Sequence, residues 1–265
     1  MKTKPVHLDF EEDFRPIQPK FRNVPIHYRK PLSRLLNFLR QQEVISDADP
    51  SKSYDCIMNV VITDKKGSDD IRMNIDATPM NPGVRRSKFH VETPQEIRHE
   101  LKSAQVFSEF DMGWGYHQLP IDEETKERSV FQTHEGIHRM ERGYFGPSAM
   151  SGIFHNEVRK ALRGLKGVLS IHDNIAVYGN DVNEHYTNLK ECFERFKERG
   201  IVIKPSKSTF CMPRIKWFGR IFTGNGVTAD PTKQERIKEA GPPTSIEEVR
   251  SLMGDSMQRS TRHFF

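Results

Sequence analysis

A chain of 265 residues is long enough to bury a sizeable core, in one large domain or two small ones. Aliphatic and aromatic residues make up 35% and charged residues 29%, which excludes a disordered chain and implies a heavily solvated surface over a core divided among small subdomains. Lys plus Arg outnumber Asp plus Glu by 41 to 36, and the resulting +5 suits a polyanionic partner without requiring one.

Cys56, Cys192 and Cys211 have no C-x-x-C spacing and an odd count, which argues against a disulfide framework or a zinc site. No apolar run approaches membrane-spanning length, and Met1-Lys2-Thr3-Lys4-Pro5 lacks the apolar core of a secretory signal. A soluble, intracellular, cytoplasmic protein is expected.

Prolines at 5, 16, 19 and 25, with little periodicity around them, predict that residues 1–29 run extended over the surface. From Pro31 onward Leu32, Leu35, Leu36 and Leu39 repeat at helical spacing, with the proline in the first turn. Segments 57–63 and 71–76 are rich in β-branched residues and flank a charged turn, which predicts a hairpin. Thr93-Pro94-Gln95-Glu96 is a capping box that opens a helix to about Ser103, and the apolar strand from Val106 to Phe110 follows it, ending in Asp111. Segments 129–133 and 137–142 predict a second hairpin, and 148–162 a helix that stops near Gly164.

Val168-Leu169 and the run from Ile175 to Tyr178 then flank Ile171-His172-Asp173-Asn174, two short strands pinched around an acidic tip. A capping box at Asp181-Val182-Asn183-Glu184 opens a helix with Tyr186, Leu189, Phe193 and Phe196 on one face and Gly200 as its stop. Strands are predicted at 201–204 and 215–222, with Gly224-Asn225-Gly226 as a turn. Two short helical patterns finish the chain, the last running from Thr244 to Met253. Helices alternating with hairpins predict an α+β fold, helices covering one face of an antiparallel sheet. No G-x-G-x-x-G or G-x-x-x-x-G-K-S/T pattern supports a doubly wound nucleotide-binding sheet.

Asp111 and Asp173 each end an apolar strand, and two strand-end carboxylates brought together are what a pair of divalent ions needs for phosphoryl transfer. Taken alone, each reads first as an ordinary strand-end aspartate. His172 beside Asp173 is read as an ordinary tip residue rather than a ligand, and the H-E-x-x-H match His134-Glu135-Gly136-Ile137-His138 spans the turn of the predicted hairpin rather than a helix, so it does not support zinc hydrolysis.

The segment Phe107-Ser108-Glu109-Phe110-Asp111-Met112-Gly113-Trp114-Gly115-Tyr116-His117-Gln118 resembles the first catalytic motif of gypsy-type LTR-retrotransposon reverse transcriptases, F-S-x-L-D-L-x-x-G-Y-H-Q. Four further blocks resemble the same family in the same order: Val61 to Lys66 with Ile71 to Asp76; Arg142-Gly143-Tyr144-Phe145-Gly146; Ile171 to Gly179; and Trp217 to Phe222 with Gly226 and Asp230-Pro231. Together they span roughly residues 20–254. The resemblance implies a right-hand polymerase fold. Behind the extended segment 1–29 it places fingers at about 30–84 and 119–144, palm at about 85–118 and 145–229, the start of a thumb at 230–254, and a tail at 255–265. A ribonuclease H domain commonly follows in this family, and a chain ending at Phe265 is expected to be a polymerase core or a truncated relic, with further retroelement domains or chains as possible partners.

The implied activity is RNA-directed DNA polymerisation on an RNA or DNA template with a primer. Deoxynucleoside triphosphates are the substrates, two Mg²⁺ or Mn²⁺ ions the cofactors, and a retroelement particle or the nucleus the other settings. Asp111, Asp173 and the backbone carbonyl of Met112 match the metal-holding groups. Lys65, Lys66 and Arg72 match the cations that grip the triphosphate. Tyr116 matches the bulky residue under the sugar, Phe145 and Gly146 the turn against which nucleotide and template pack, and Trp217, Phe218 and Gly219 the strand that supports the primer terminus. Two departures stand out. Asn174 replaces the second aspartate of the x-D-D tip and removes a negative charge, so weak or lost polymerisation is expected. Pro147 directly after Gly146 removes a backbone donor where the family has a small residue. A catalytically inactive relic that binds nucleic acid or a protein is the alternative. An unrelated basic α+β interaction protein would require Asp111 and Asp173 to lie far apart.

Overall fold

The computed structural model describes residues 1–231 apart from 66, 68–69, 87–91, 172 and 218–219, together with Ser245. The expected thumb and tail beyond Pro231 therefore lie outside the described residues, as do Lys66, Phe218 and Gly219 and, Ser245 apart, both terminal helical patterns.

Residues 1–25 are extended but do not simply lie on the surface, because Val6, Leu8 and Val24 are buried in the main core. The Val6 N–H donates to the Pro120 carbonyl at 2.8 Å and the Leu8 N–H to Thr125 Oγ1 at 2.9 Å. An i, i+2 pair of apolar side chains is enough to seat an extended strap on one face, and proline-rich flanks conceal that pattern. Helix α1 (Ile26–Gln41) starts right after Pro25, five residues earlier than the proline at 31 suggested. Pro31 sits inside it, forfeiting one intrahelical N–H, while Leu32, Leu36 and Leu39 bury the inner face.

Strand β1 (Ile45–Asp47) was not legible in sequence, being three residues long. Strands β2 (Asn59–Asp64) and β3 (Ile71–Asp76) pair antiparallel as the expected hairpin. Helix α2 (Pro94–Glu100) carries the complete capping box: the Glu96 N–H donates to Thr93 Oγ1 at 3.2 Å and the Thr93 N–H to Glu96 Oε2 at 2.7 Å. Strand β4 (Val106–Asp111) follows, then a short unpredicted helix α3 (Glu123–Glu127), capped by Asp122. Strands β5 (Val130–Thr133) and β6 (Gly136–Met140) form the second hairpin, to which β1 adds on the β6 side.

Helix α4 (Met150–Leu162) leads into β7 (Val168–Ile171) and β8 (Asn174–Gly179), and helix α5 (Val182–Arg199) ends on Gly200 in the left-handed conformation. The inward stripe of α5 is His185, Asn188, Cys192 and Phe196, so Tyr186 points outward, one position off the face expected for it. Its cap also differs: Asp181 accepts from the Glu184 N–H at 2.8 Å, but Glu184 accepts from Asn180 at 2.9 Å rather than closing on Asp181.

Segment 201–204 is no strand and makes only a bridge of Ile203 with Met112. Strand β9 (Thr209–Met212) is exposed along its length and so showed no alternation in sequence. The apolar run 215–222 is two strands, β10 (Arg214–Trp217) and β11 (Arg220–Thr223), which fold back on each other with Trp217 opposite Arg220. Strand β12 (Gly226–Ala229) completes that sheet.

The central sheet has the order β7-β8-β4-β9, all antiparallel. Period-2 alternation sends Phe110, Ile175 and Val177 into the main core and Phe107 and Ala176 into a second cluster with Ile97, Leu101, Ile215, Trp217 and Phe222. No helix among the described residues is long and apolar enough to cross a membrane. Gly146, at φ 138°, lies so close to the neighbouring hairpin that an added Cβ would meet the Ile75 carbonyl oxygen at 2.5 Å. Gly146→Ala should therefore cost about 2–3 kcal/mol of stability, read as a lowered urea midpoint with an unchanged slope.

Candidate active site

Strand pairing brings the two aspartates together. Asp111, last in β4, lies opposite Asn174, first in β8, and the Met112 N–H donates to the Asp173 carbonyl at 2.9 Å. Burial, and then the charge of Asp111, push the Asp173 carboxyl above the usual carboxylate range. Like charge held this close is what a divalent cation relieves. The separation that an unrelated interaction protein would require is absent.

Asp111 is also held from the far side. Its carbonyl accepts the Lys204 N–H at 2.8 Å, and its Oδ2 lies 3.4 Å from Lys207 Nζ, an exposed cation with no signature in sequence beyond its charge. Gln118 ties the loop after Asp111 to the chain beyond α5: its amide donates to the Val202 carbonyl at 2.9 Å and its Oε1 accepts the Val202 N–H at 2.9 Å.

Glu109 shares the Asp111 face of β4 and was also missed, although its i−2 position on a strand was the available signal. Burial foremost, and the Asp111 charge, raise its carboxyl, against a bond from Trp217 Nε1–H to its Oε1 at 2.7 Å. Trp217 is buried at the end of β10.

Tyr116 follows a tight turn in which Trp114 and Gly115 adopt φ of 69° and 48°. Its ring packs 4.3 Å from Phe145 and 5.2 Å from Phe154. Burial, opposed by a hydrogen bond with Ser151 and aided by the Asp173 charge, raises its hydroxyl. Tyr116 thus stands beside the acidic pair with the half-exposed Phe145 against it.

Lys65 and Arg72 stand exposed on the β2–β3 hairpin, Lys65 paired with Asp70 at 3.3 Å. A recess lined by Arg34, Phe38, Lys65 and Ile71 separates that hairpin from α1. Phe38 in turn stacks on Trp114 at 5.4 Å, three residues beyond Asp111. Through Phe38 the recess beside Lys65 thus reaches Trp114 in the loop after Asp111.

Among the described residues no three or more His, Cys, Asp or Glu side chains gather into a metal cluster. Two carboxylates nonetheless suit Mg²⁺, which keeps several waters and completes its shell with substrate phosphates.

Residues 8–222 match the family model described as reverse transcriptase (RNA-dependent DNA polymerase). An uncharacterized Caenorhabditis elegans protein is 30% identical over 92% of this chain and 19% of its own length. The retrovirus-related Pol polyprotein from transposon opus of Drosophila melanogaster is 27% identical over 90% of this chain and 24% of its own. The chain thus spans about a fifth to a quarter of these relatives. The fold is similar to the foamy viral protease-reverse transcriptase in complex with double-stranded DNA, at TM-score 0.83 and 18% identity over 96% of this chain and 44% of that one. A second structure of that enzyme, with an RNA/DNA hybrid, gives TM-score 0.81, 18% identity and coverage of 96% and 33%.

Proposed function

Because the chain belongs to the reverse transcriptase (RNA-dependent DNA polymerase) family, we propose that it is the polymerase core of a retrotransposon, adding deoxynucleotides to the 3′-hydroxyl of a primer on an RNA or DNA template. The observation that carries this reading is the meeting of Asp111 and Asp173 at one end of the two inner strands of the central sheet. These carboxylates, with the Met112 carbonyl, would hold Mg²⁺ or Mn²⁺. Bound there, the ions supply activation of the primer hydroxyl and neutralise charge at the triphosphate.

Every other part of the work falls to the chain. Lys65 and Arg72, with Lys66, grip phosphate oxygens as point charges and as a fork. Tyr116 supports the sugar and crowds its 2′ position, backed by Phe145, while Gly146 lets the backbone approach closely. Trp217, Phe218 and Gly219 support the primer end. Nucleic-acid complexes of the similar foamy viral enzyme support a template–primer partner.

A second reading, an inactive descendant that only binds nucleic acid, is favoured by Asn174 standing opposite Asp111 where a carboxylate belongs. Primer extension on an RNA template with and without Mg²⁺ separates the two. Metal-dependent incorporation supports the polymerase; salt-sensitive hybrid binding with no incorporation supports the relic. In any variant that polymerises, Tyr116→Val should raise ribonucleotide use about tenfold or more relative to deoxyribonucleotide, and an unchanged ratio of kcat/KM would count against the role.

A further inference from the structure

The central strand and the β10–β12 sheet meet through Phe107, Trp217, Ile215 and Phe222, contacts that fix burial but not direction. Glu109 adds direction. It accepts the Trp217 indole N–H at 2.7 Å from the same strand face, two residues before Asp111. A buried indole N–H needs an acceptor, and a carboxylate on a half-buried strand carries a desolvation cost that an apolar side chain would avoid. The pairing of β4 with β9 shifts register between Phe107 and Glu109, the kind of irregularity that re-aims a side chain.

We infer that Glu109 is a positioning residue for the primer terminus: its carboxylate holds Trp217, and through it the β10–β11 hairpin, at a set distance and angle from the strand that ends in Asp111. This rests on the polymerase reading, in which Trp217 belongs to the primer support. Glu109 touches neither primer nor nucleotide and acts through the indole.

The test uses the 265-residue chain and an RNA/DNA hybrid with 2-aminopurine at the primer 3′ end, whose fluorescence reports seating without catalysis or metal. Glu109→Gln keeps an acceptor oxygen and should hold terminus seating within about twofold, whereas Glu109→Leu should lower it about tenfold. Trp217→Phe should cost about as much as Glu109→Leu, and the double substitution no more than either alone. Urea unfolding is read alongside, since a brace without a positioning role would lower the midpoint and leave seating intact. Equal loss in the Gln and Leu variants, additive losses in the double variant, or unchanged seating in Glu109→Leu overturns this inference alone. No fluorescence change on binding to the unsubstituted chain overturns the polymerase reading, and this inference with it.

Discussion

Asp111→Asn should lower metal-dependent primer extension by at least about 10³-fold, the upper end of what one preorganised electrostatic contact contributes and before any loss of metal affinity is added. Asp173→Asn should do the same, and the two together no more than about either alone, because groups that act as a unit fail as a unit. Mn²⁺ binding followed by electron paramagnetic resonance should weaken in both variants whether or not the chain polymerises. The pH dependence has a definite sign. The Asp173 carboxyl, raised by burial and by Asp111, holds its proton where an ordinary aspartate is ionised, so Mn²⁺ affinity should fall as pH drops through that raised value. With the folded value above the unfolded one, the folded chain binds more protons in between, and this group's contribution to stability is present at acid pH and fades as pH rises. Asp111→Asn removes only the second cause, so the acid shift of metal binding in the remaining site should shrink and not vanish. Wild-type rates in either variant would remove these side chains from the chemistry.

The site was legible where local pattern and long-range position coincide. The apolar runs Val106–Phe110 and Ile175–Tyr178 mark strands, and each places an acidic position at a strand end or tip. Thr93-Pro94-Gln95-Glu96 declares its helix because every bond it needs lies within four residues. What stayed hidden depends on partners far along the chain. Strand β9 is exposed on both faces and exists because β4 pairs with it. Val6 and Leu8 are buried because Pro120 and Thr125 receive their amides, more than a hundred residues away. Trp217 and Glu109 look like a buried aromatic and a surface acid until the fold joins them. Tyr186 shows the finer limit: an aromatic at helical spacing claimed the inner face, but the buried position is His185, whose Nε2 lies 3.0 Å from Ser108 Oγ inside the core.

Asn174→Asp should raise the single-turnover rate of primer extension by about 10²- to 10³-fold, since it returns a negative charge at the position paired with Asp111 where metal and triphosphate charge must be balanced. The same substitution places a third carboxylate beside two that already repel, one of them elevated by burial and then by that repulsion. Without metal the variant should therefore be less stable than the natural chain by about 1 kcal/mol, and Mn²⁺ should reverse the difference in proportion to its binding. Lys207, 3.4 Å from Asp111, offsets part of this repulsion but is exposed and screened, so the loss should grow when it is replaced by methionine and shrink in high salt. Rate and metal-dependent stability report on separate links. A stability gain with Mn²⁺ but no faster extension would leave the metal site standing and place the defect elsewhere, with Pro147 after Gly146 the first position to restore. Neither effect would mean that the asparagine does not face the cation site at all.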